Sequence, residues 1–321
     1  MAATVIVSKM QEDNVLLSKQ IEDTFPLLGL AEDFAKARAV FIKPNLTYPD
    51  YKPGVTTRVE FVEALVAALR RINQDTRIII GEGEGGYHSF SMTQAMKTMG
   101  FGDIALRYPN VSIVNLSELP RHSVALRVKN SDYKMELPAV FFEEIDFSIT
   151  CPVPKVHCMT GISLALKNQW GCVPDVMRLK NHYVFDYVIQ QIAQVLKFRY
   201  VFLDGLWGLN DNGPMVGRTE KIGWFAAANS LLAHDRTIAR MMRVDPETIG
   251  HLRSESRNEG VSIIGDLQGL AHSFALKRNL WNYPALVAFH SRWLTKLVYL
   301  SSCSKLIHDV MYCFRKRPTE D

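Results

Sequence analysis

Three lysines lie where an anion could meet them. Lys43 ends an apolar run and precedes Pro44, Lys155 follows Pro154, and Lys167 lies further along the same polar segment, Ile149 to Asp175. A compact ammonium can hold a carboxylate or phosphate and stabilise charge that develops beside it. His157, two residues after Lys155, and His88 supply imidazoles suited to proton transfer or metal ligation near neutral pH. Asn45, Ser163 and Asn168 can orient such a ligand by hydrogen bonding. Asp204 and Asp235, each beyond an apolar stretch, can hold the ligand or the lysines in place. The expected set is therefore Lys43, Lys155, Lys167 and His157 as catalytic groups, with Asn45, Ser163, Asn168, Asp204 and Asp235 as substrate contacts. Glu82, Glu84 and His88 are the candidate donors for a divalent metal, since carboxylates suit a hard cation. Each residue also has an ordinary role to weigh against this one: lysines are most often solvated, and loop carboxylates and amides most often satisfy nearby backbone.

The cysteines invite a metal reading and do not sustain it. Cys151, Cys158 and Cys172 are spaced C-x6-C and C-x13-C, which matches no compact zinc or iron–sulfur signature, so buried thiols are expected. The run Gly81-Glu82-Gly83-Glu84-Gly85-Gly86 implies a tight or closely approached backbone. It lacks the G-x-G-x-x-G spacing of dinucleotide-binding turns, and the chain has no G-x-x-x-x-G-K-[ST] loop.

Positioning these groups requires alternating strands and helices. Thr4 to Val7, Ala39 to Ile42, Arg77 to Ile80, Val111 to Val114, Ile145 to Ile149, Tyr200 to Leu203 and Val261 to Ile264 read as strands. Asn14 to Leu28, a segment from Thr57 through Leu69, and Tyr183 to Phe198 carry apolar residues at helical spacing. Thr57 with Glu60 reads as a capping box, and Ser91 with Gln94 as a second cap. Val124 to Leu137 resembles a hairpin or an irregular antiparallel insertion, and the polar segment is expected to run from a strand through a proline-shaped loop into a helix near Gly161 to Asn168. The expectation is an α/β fold with a mixed or mostly parallel sheet. It would form two lobes, 1–140 and 141–272, around a polar cleft, followed by a helical C-terminal segment, 273–321.

At 321 residues, with 37 Lys and Arg against 33 Asp and Glu and a mean hydropathy near zero, the chain can bury a substantial core. The modest charge of +4, without a reading motif, argues against a nucleic-acid partner. Five cysteines cannot all pair, and the start of the chain lacks the pattern of a secretory signal, which points to a reducing cytoplasmic setting. From Phe274 to Pro318 the texture changes: Lys277, Arg278, Arg292, Lys296, Lys305, Arg315, Lys316 and Arg317 stand against Asp309 alone, interleaved with aromatic residues. Segment 274–318 is therefore a candidate for peripheral membrane or protein contact, and a homo-oligomer is a further expectation.

The polar loops resemble the DUF362 family of α/β proteins, some of which carry an added iron–sulfur module. The resemblance rests on Lys43-Pro44-Asn45, Gly81-Glu82-Gly83, Lys155 with His157, Thr160-Gly161-Ile162-Ser163, Lys167-Asn168 and Gly171. It continues through Asp204-Gly205, Gly213-Pro214, Asp235 and Gly265-Asp266, covering roughly residues 39–266. Ferredoxin-type cysteine runs, which would hold a cluster in the iron–sulfur members, are missing here, so a cluster held in that way is not expected. Residues and resemblance together favour an enzyme acting on a small anionic metabolite by lysine-assisted charge stabilisation and proton transfer, in an isomerase, lyase or ligase type of reaction. The alternatives are a redox or cofactor-binding protein like the cluster-bearing members, or a noncatalytic anion-binding module.

Overall fold

The computed structural model describes residues 2–85, 90–253, 260–280 and 282–301. His88, Lys305, Cys303, Cys313 and the Arg315-Lys316-Arg317 run lie outside the described residues.

Among the described residues twelve strands follow in chain order: β1 (Ala3–Lys9), β2 (Ala39–Lys43), β3 (Arg77–Glu82), β4 (Val111–Asn115), β5 (Arg121–Val128), β6 (Ser131–Pro138), β7 (Phe147–Thr150), β8 (Lys155–His157), β9 (Gly161–Ser163), β10 (Phe198–Asn210), β11 (Arg218–Ala228) and β12 (Val261–Ile264). Eight of them lie in the order β12-β1-β11-β10-β7-β2-β3-β4, and β8 and β9 join the same sheet beside β10. The run from β10 through β7, β2 and β3 to β4 is parallel, whereas β11 is antiparallel to both β10 and β1. The sheet is therefore mixed and mostly parallel. Strands from both sides of residue 140 share it, and the N-terminal β1 sits among the later strands. β5 and β6 form a separate antiparallel hairpin in full register from Arg121 opposite Pro138 to Val128 opposite Ser131.

Both faces of the parallel part are covered, which is why β2 and β7 are buried along their whole length. Side chains alternate along a strand, so Val40 and Ile42 face one core with Ile78, Ile80 and the helix Val59–Arg70, while Phe41 and Ile79 face the other with the helix Phe185–Val195. Fully burying one such aliphatic side chain contributes about 1.5–3 kcal/mol before the cost of ordering it.

Several local expectations change. The helix after Thr57 begins at Val59 with Arg58 at its cap position, and no side chain caps it. The Thr57 hydroxyl instead donates to the Cys151 carbonyl at 2.7 Å and accepts the Asn45 N–H at 2.8 Å, tying two site loops together. Ser91 does cap its helix, accepting from Gln94 N–H. The polar segment does not pass directly into a helix, because β8 and β9 first form a short antiparallel hairpin, and helix appears only over Ala165–Asn168. Residues 178–184 are a 3-10 turn, so the following helix starts at Phe185.

Candidate functional site

Chain order reverses between two adjacent parallel strands. From β2 the chain moves outward to β3 and β4, through a helix on one face; from β7 it moves the other way to β10, through the helix on the opposite face. That reversal lies at the carboxyl ends of β2 and β7, the place where open α/β sheets have the crevice that holds ligands. Lys43 and Thr150 are partners in register at that edge. Asn168 spans it, its amide donating to the Lys43 carbonyl at 3.2 Å and to the Thr150 hydroxyl at 2.9 Å.

Lys43 is fully buried and closes an ion pair on Glu82 at the end of β3. Its amine also donates to the Pro44 carbonyl at 2.8 Å, while Glu82 accepts the N–H groups of Leu46 and Gly83 at 3.0 and 3.1 Å. The pair is therefore satisfied internally and braces the loop after β2. Gly171 lies against it so closely that a Cβ would stand 2.2 Å from Glu82 Oε1 and 2.9 Å from Lys43 Nζ.

The β8–β9 hairpin presents the next set. After Thr150 the chain continues along β10 through Pro152 and Pro154, which have no N–H to give but whose carbonyls accept from Asp204 and Leu209. Lys155 stands opposite Ser163, Val156 opposite Ile162 and His157 opposite Gly161. Period-2 alternation therefore sends Val156 and Ile162 to the core and puts Lys155, His157 and Ser163 on one shared face. Lys155 donates to Asn45 Oδ1 at 3.2 Å and to the Val55 carbonyl at 2.6 Å, and among the described residues it forms no ion pair. Burial, with the Lys167 charge second, brings its pKa down to about 7. His157 Nδ1 accepts the N–H groups of Met159 and Thr160 at 3.1 and 3.3 Å. Two donors aimed at Nδ1 assign the proton to Nε2. Burial, then the Lys167 charge, holds the imidazole well below its ordinary pKa, so the ring is neutral.

Lys167 is half-buried over the Phe185 ring, 5.0 Å from its centroid, and burial lowers its pKa to about 8. Its short helix is held by Asp235, which accepts the N–H groups of Ala165 and Leu166 at 2.9 and 2.7 Å and lies 2.7 Å from His234 Nδ1. Asp235 thus positions Lys167 and Asn168 from behind. Two further histidines, not expected from the sequence, stand nearby. His182 packs on Trp170, with ring centres 5.7 Å apart, and His251 on Phe185 at 5.5 Å. Burial and then the Lys167 charge hold both rings below their usual pKa, His251 at about 3. Neither nitrogen of His251 and not Nδ1 of His182 has a hydrogen-bond partner among the described residues. They follow ordinary helical and turn sequence, and only spatial proximity to Lys167 distinguishes them.

The remaining expected residues lie around this crevice in other roles. Asp204 is locked to Arg58 by both Nε and Nη2, at 3.0 and 2.8 Å, and accepts the Arg58 N–H. Glu84 accepts the Met92 N–H and the Asn115 amide at 3.3 and 3.2 Å. Arg178, also absent from the expected set, donates to the carbonyls of Glu84 and Val173 and so fastens the glycine-rich loop. Among the described residues no group of three or more His, Cys, Asp and Glu side chains is arranged to hold a metal ion. Cys151 and Cys172 are buried thiols, and burial pushes Cys172 up to about 12. A cavity of about 630 Å³ lies elsewhere, at the ends of β1, β10 and β12, with Gln190, Arg199, Ser230 and Arg236 in its wall, and none of the candidate groups lines it.

Fold and crevice define a doubly wound α/β protein with a buried, lysine-rich polar site at the carboxyl ends of its parallel strands. A family model, Domain of unknown function (DUF362), matches residues 40–240, and the chain belongs to that family. A thylakoid-associated protein of Synechocystis sp. is 28% identical over 121 residues, a stretch covering 36% of this chain and 38% of the relative. Among solved structures, the lactate racemase apoprotein of Thermoanaerobacterium thermosaccharolyticum is similar with a TM-score of 0.46 and 16% identity, covering 70% of this chain and 53% of that one. A structural-genomics protein of Thermotoga maritima follows with a TM-score of 0.38 and 12% identity, covering 66% and 56%. The chain thus spans little more than half the length of these structures, and less of the Synechocystis relative.

Proposed function

We propose that the protein is a cytoplasmic enzyme that binds a small carboxylate or phosphate metabolite at the β8–β9 face and moves a proton on it, in an isomerase, lyase or ligase type of reaction. The observation that carries this reading is Lys155: a buried amine that forms no ion pair among the described residues, its pKa brought to about 7, on one hairpin face with a neutral imidazole and a hydroxyl. A catalytic base works best when its pKa lies near the working pH. In this reading Lys155 in its neutral form takes the proton. His157, fixed with its proton on Nε2, donates to the oxygen where charge develops, and does not act as the base. Lys167, with its higher pKa of about 8, stays largely cationic at neutral pH and holds the anion. The internally matched Lys43–Glu82 pair and Asn168 keep the crevice open and rigid.

The test is proton exchange in D₂O across a panel of small carboxylates and phosphate esters, followed by ¹H NMR. The expected result is loss of a C–H signal next to the acidic group for at least one compound, with a rate that rises through pH 7. Lys155→Met should lower that rate by about 10²–10⁴-fold, the usual contribution of a general base. Saturable binding that Lys155→Met abolishes, with no exchange or turnover, would make the protein a noncatalytic anion-binding module instead. No binding and no exchange would end the proposal.

A further inference from the structure

The helices Asn282–Phe289 and Arg292–Leu300 carry several large apolar residues on their outward side. In the second, Thr295 is buried, while Trp293 and Leu297, two residues to either side, fall on the opposite face at 3.6 residues per turn. Trp293 is 69% exposed, and Leu297 is exposed beside it. In the first, Asn282 and Phe289, two turns apart, are buried on one side, and Tyr283 and Val287 are exposed on the other. Leu280, just before, is 84% exposed. Large apolar residues exposed singly are normal, but five within eighteen residues form a surface that is costly to leave in water.

The charge along this stretch of chain has one sign. No acidic residue occurs between Asp266 and Asp309. Lys277 and Arg278 are engaged locally, with Asp211 and the Cys158 carbonyl, but Arg292 and Lys296 are exposed on the same helix as Trp293 and Leu297. Arg292 also lies over the Tyr183 ring, 6.0 Å from its centroid. The inner side of the pair is fixed to the body, with Phe289 5.2 Å from the His182 ring and 6.0 Å from Phe185. Among the described residues no helix is long and apolar enough to cross a membrane, so these helices could only lie on one.

We propose that the outward face of these two helices is a peripheral docking surface for an anionic lipid bilayer. Trp293, Leu297, Tyr283 and Val287 enter the headgroup boundary, where aromatic residues with one polar edge are favoured, and Arg292 and Lys296 meet the lipid phosphates. Charge selects this occupant over neutral lipid: the two helices offer cations and apolar surface together, and neither carries a carboxylate of its own.

Flotation of the full chain with vesicles tests the proposal, comparing phosphatidylcholine alone with phosphatidylcholine containing phosphatidylglycerol. The protein is expected to float with the anionic vesicles, to be released by salt, and to stay behind with neutral ones. The double variant Trp293→Ser, Leu297→Ser should lower the partition coefficient about tenfold or more, and Lys296→Glu should lower it as well, both with unchanged far-UV circular dichroism because these side chains are exposed. Failure to float with anionic vesicles, or flotation unchanged in the double variant, would overturn the proposal. So would a double variant that shifts the wild-type protein from dimer to monomer in sedimentation while vesicles bind neither, since the occupant would then be a second copy.

Discussion

The Asp235 carboxylate accepts the Leu166 N–H at 2.7 Å from 69 residues further along the chain, and takes the Ala165 N–H with its other oxygen. A four-residue helix that carries Lys167 and Asn168 has no capping side chain of its own, so its orientation depends on this distant residue. Asp235→Ala should leave two buried N–H groups without acceptors, each costing about 1–3 kcal/mol, for a total loss of about 2–6 kcal/mol in urea unfolding. Asp235→Asn, which keeps one acceptor oxygen, should lose less. Equal losses in the two variants would mean that the cap is not what holds the helix.

Lys155 makes stability depend on pH in a definite direction. Its folded pKa of about 7 lies below the value of about 10.4 expected in the unfolded chain. Between those values the unfolded state binds one more proton, so stability rises with pH, at up to about 1.4 kcal/mol per pH unit, and the penalty is complete below pH 7. Lys167 acts in the same sense above about pH 8. Urea unfolding at pH 7, 8 and 9 should show wild type gaining stability and Lys155→Met gaining less by about one proton's worth of slope. Parallel pH profiles in the two proteins would rule out a buried, neutral-leaning Lys155.

Gly171 has a steric reason to be glycine. A methyl there would meet Glu82 Oε1 at 2.2 Å and force apart the buried Lys43–Glu82 pair, and the Gly171 carbonyl also accepts the Gly83 N–H at 3.1 Å. Gly171→Ala should destabilise by about 1–3 kcal/mol, the usual cost of overpacking, and should weaken anion binding as the crevice shifts. Wild-type stability in this variant would show that the loop after Trp170 has room to move.

The sequence was most legible where the signal is local. Apolar strands, a hairpin around 124–137 and the buried thiols Cys151 and Cys172 follow from periodicity and spacing, whereas Cys158, expected to be buried too, is only partly so, and Lys43, Asn45, Lys155 and Asn168 lie together, with Asn168 donating to the Lys43 carbonyl and Lys155 to Asn45. Partner choice was not legible. Nothing near Asp204 points to Arg58, 146 residues away, or near Thr57 to the Cys151 carbonyl, 94 away, and a local capping box competed for the same hydroxyl. The three-residue strands β8 and β9 are too short to show alternation, so the face shared by Lys155, His157 and Ser163 has no signature of its own in the sequence. β1 joins the later strands through antiparallel pairing with β11, a long-range contact that its own residues do not encode.

His251 offers the sharpest separation of site from scaffold. It is fully buried, neither ring nitrogen has a hydrogen-bond partner among the described residues, and burial together with the Lys167 charge keeps it neutral with a pKa of about 3. Its Nδ1 lies 3.9 Å from Asp186 Oδ1, too far for a hydrogen bond, and a buried polar group without one costs about 1–3 kcal/mol that an apolar ring would not incur. His251→Phe, similar in shape and stacked on Phe185 in the same way, should therefore be as stable as wild type or more stable by about 1 kcal/mol. If the ring serves the ligand held by Lys167, the same variant should lower anion affinity or exchange rate by about tenfold while its unfolding midpoint holds or rises. A variant that loses stability and keeps affinity would return His251 to the core, and only stability and binding measured on the same preparation can tell the two apart.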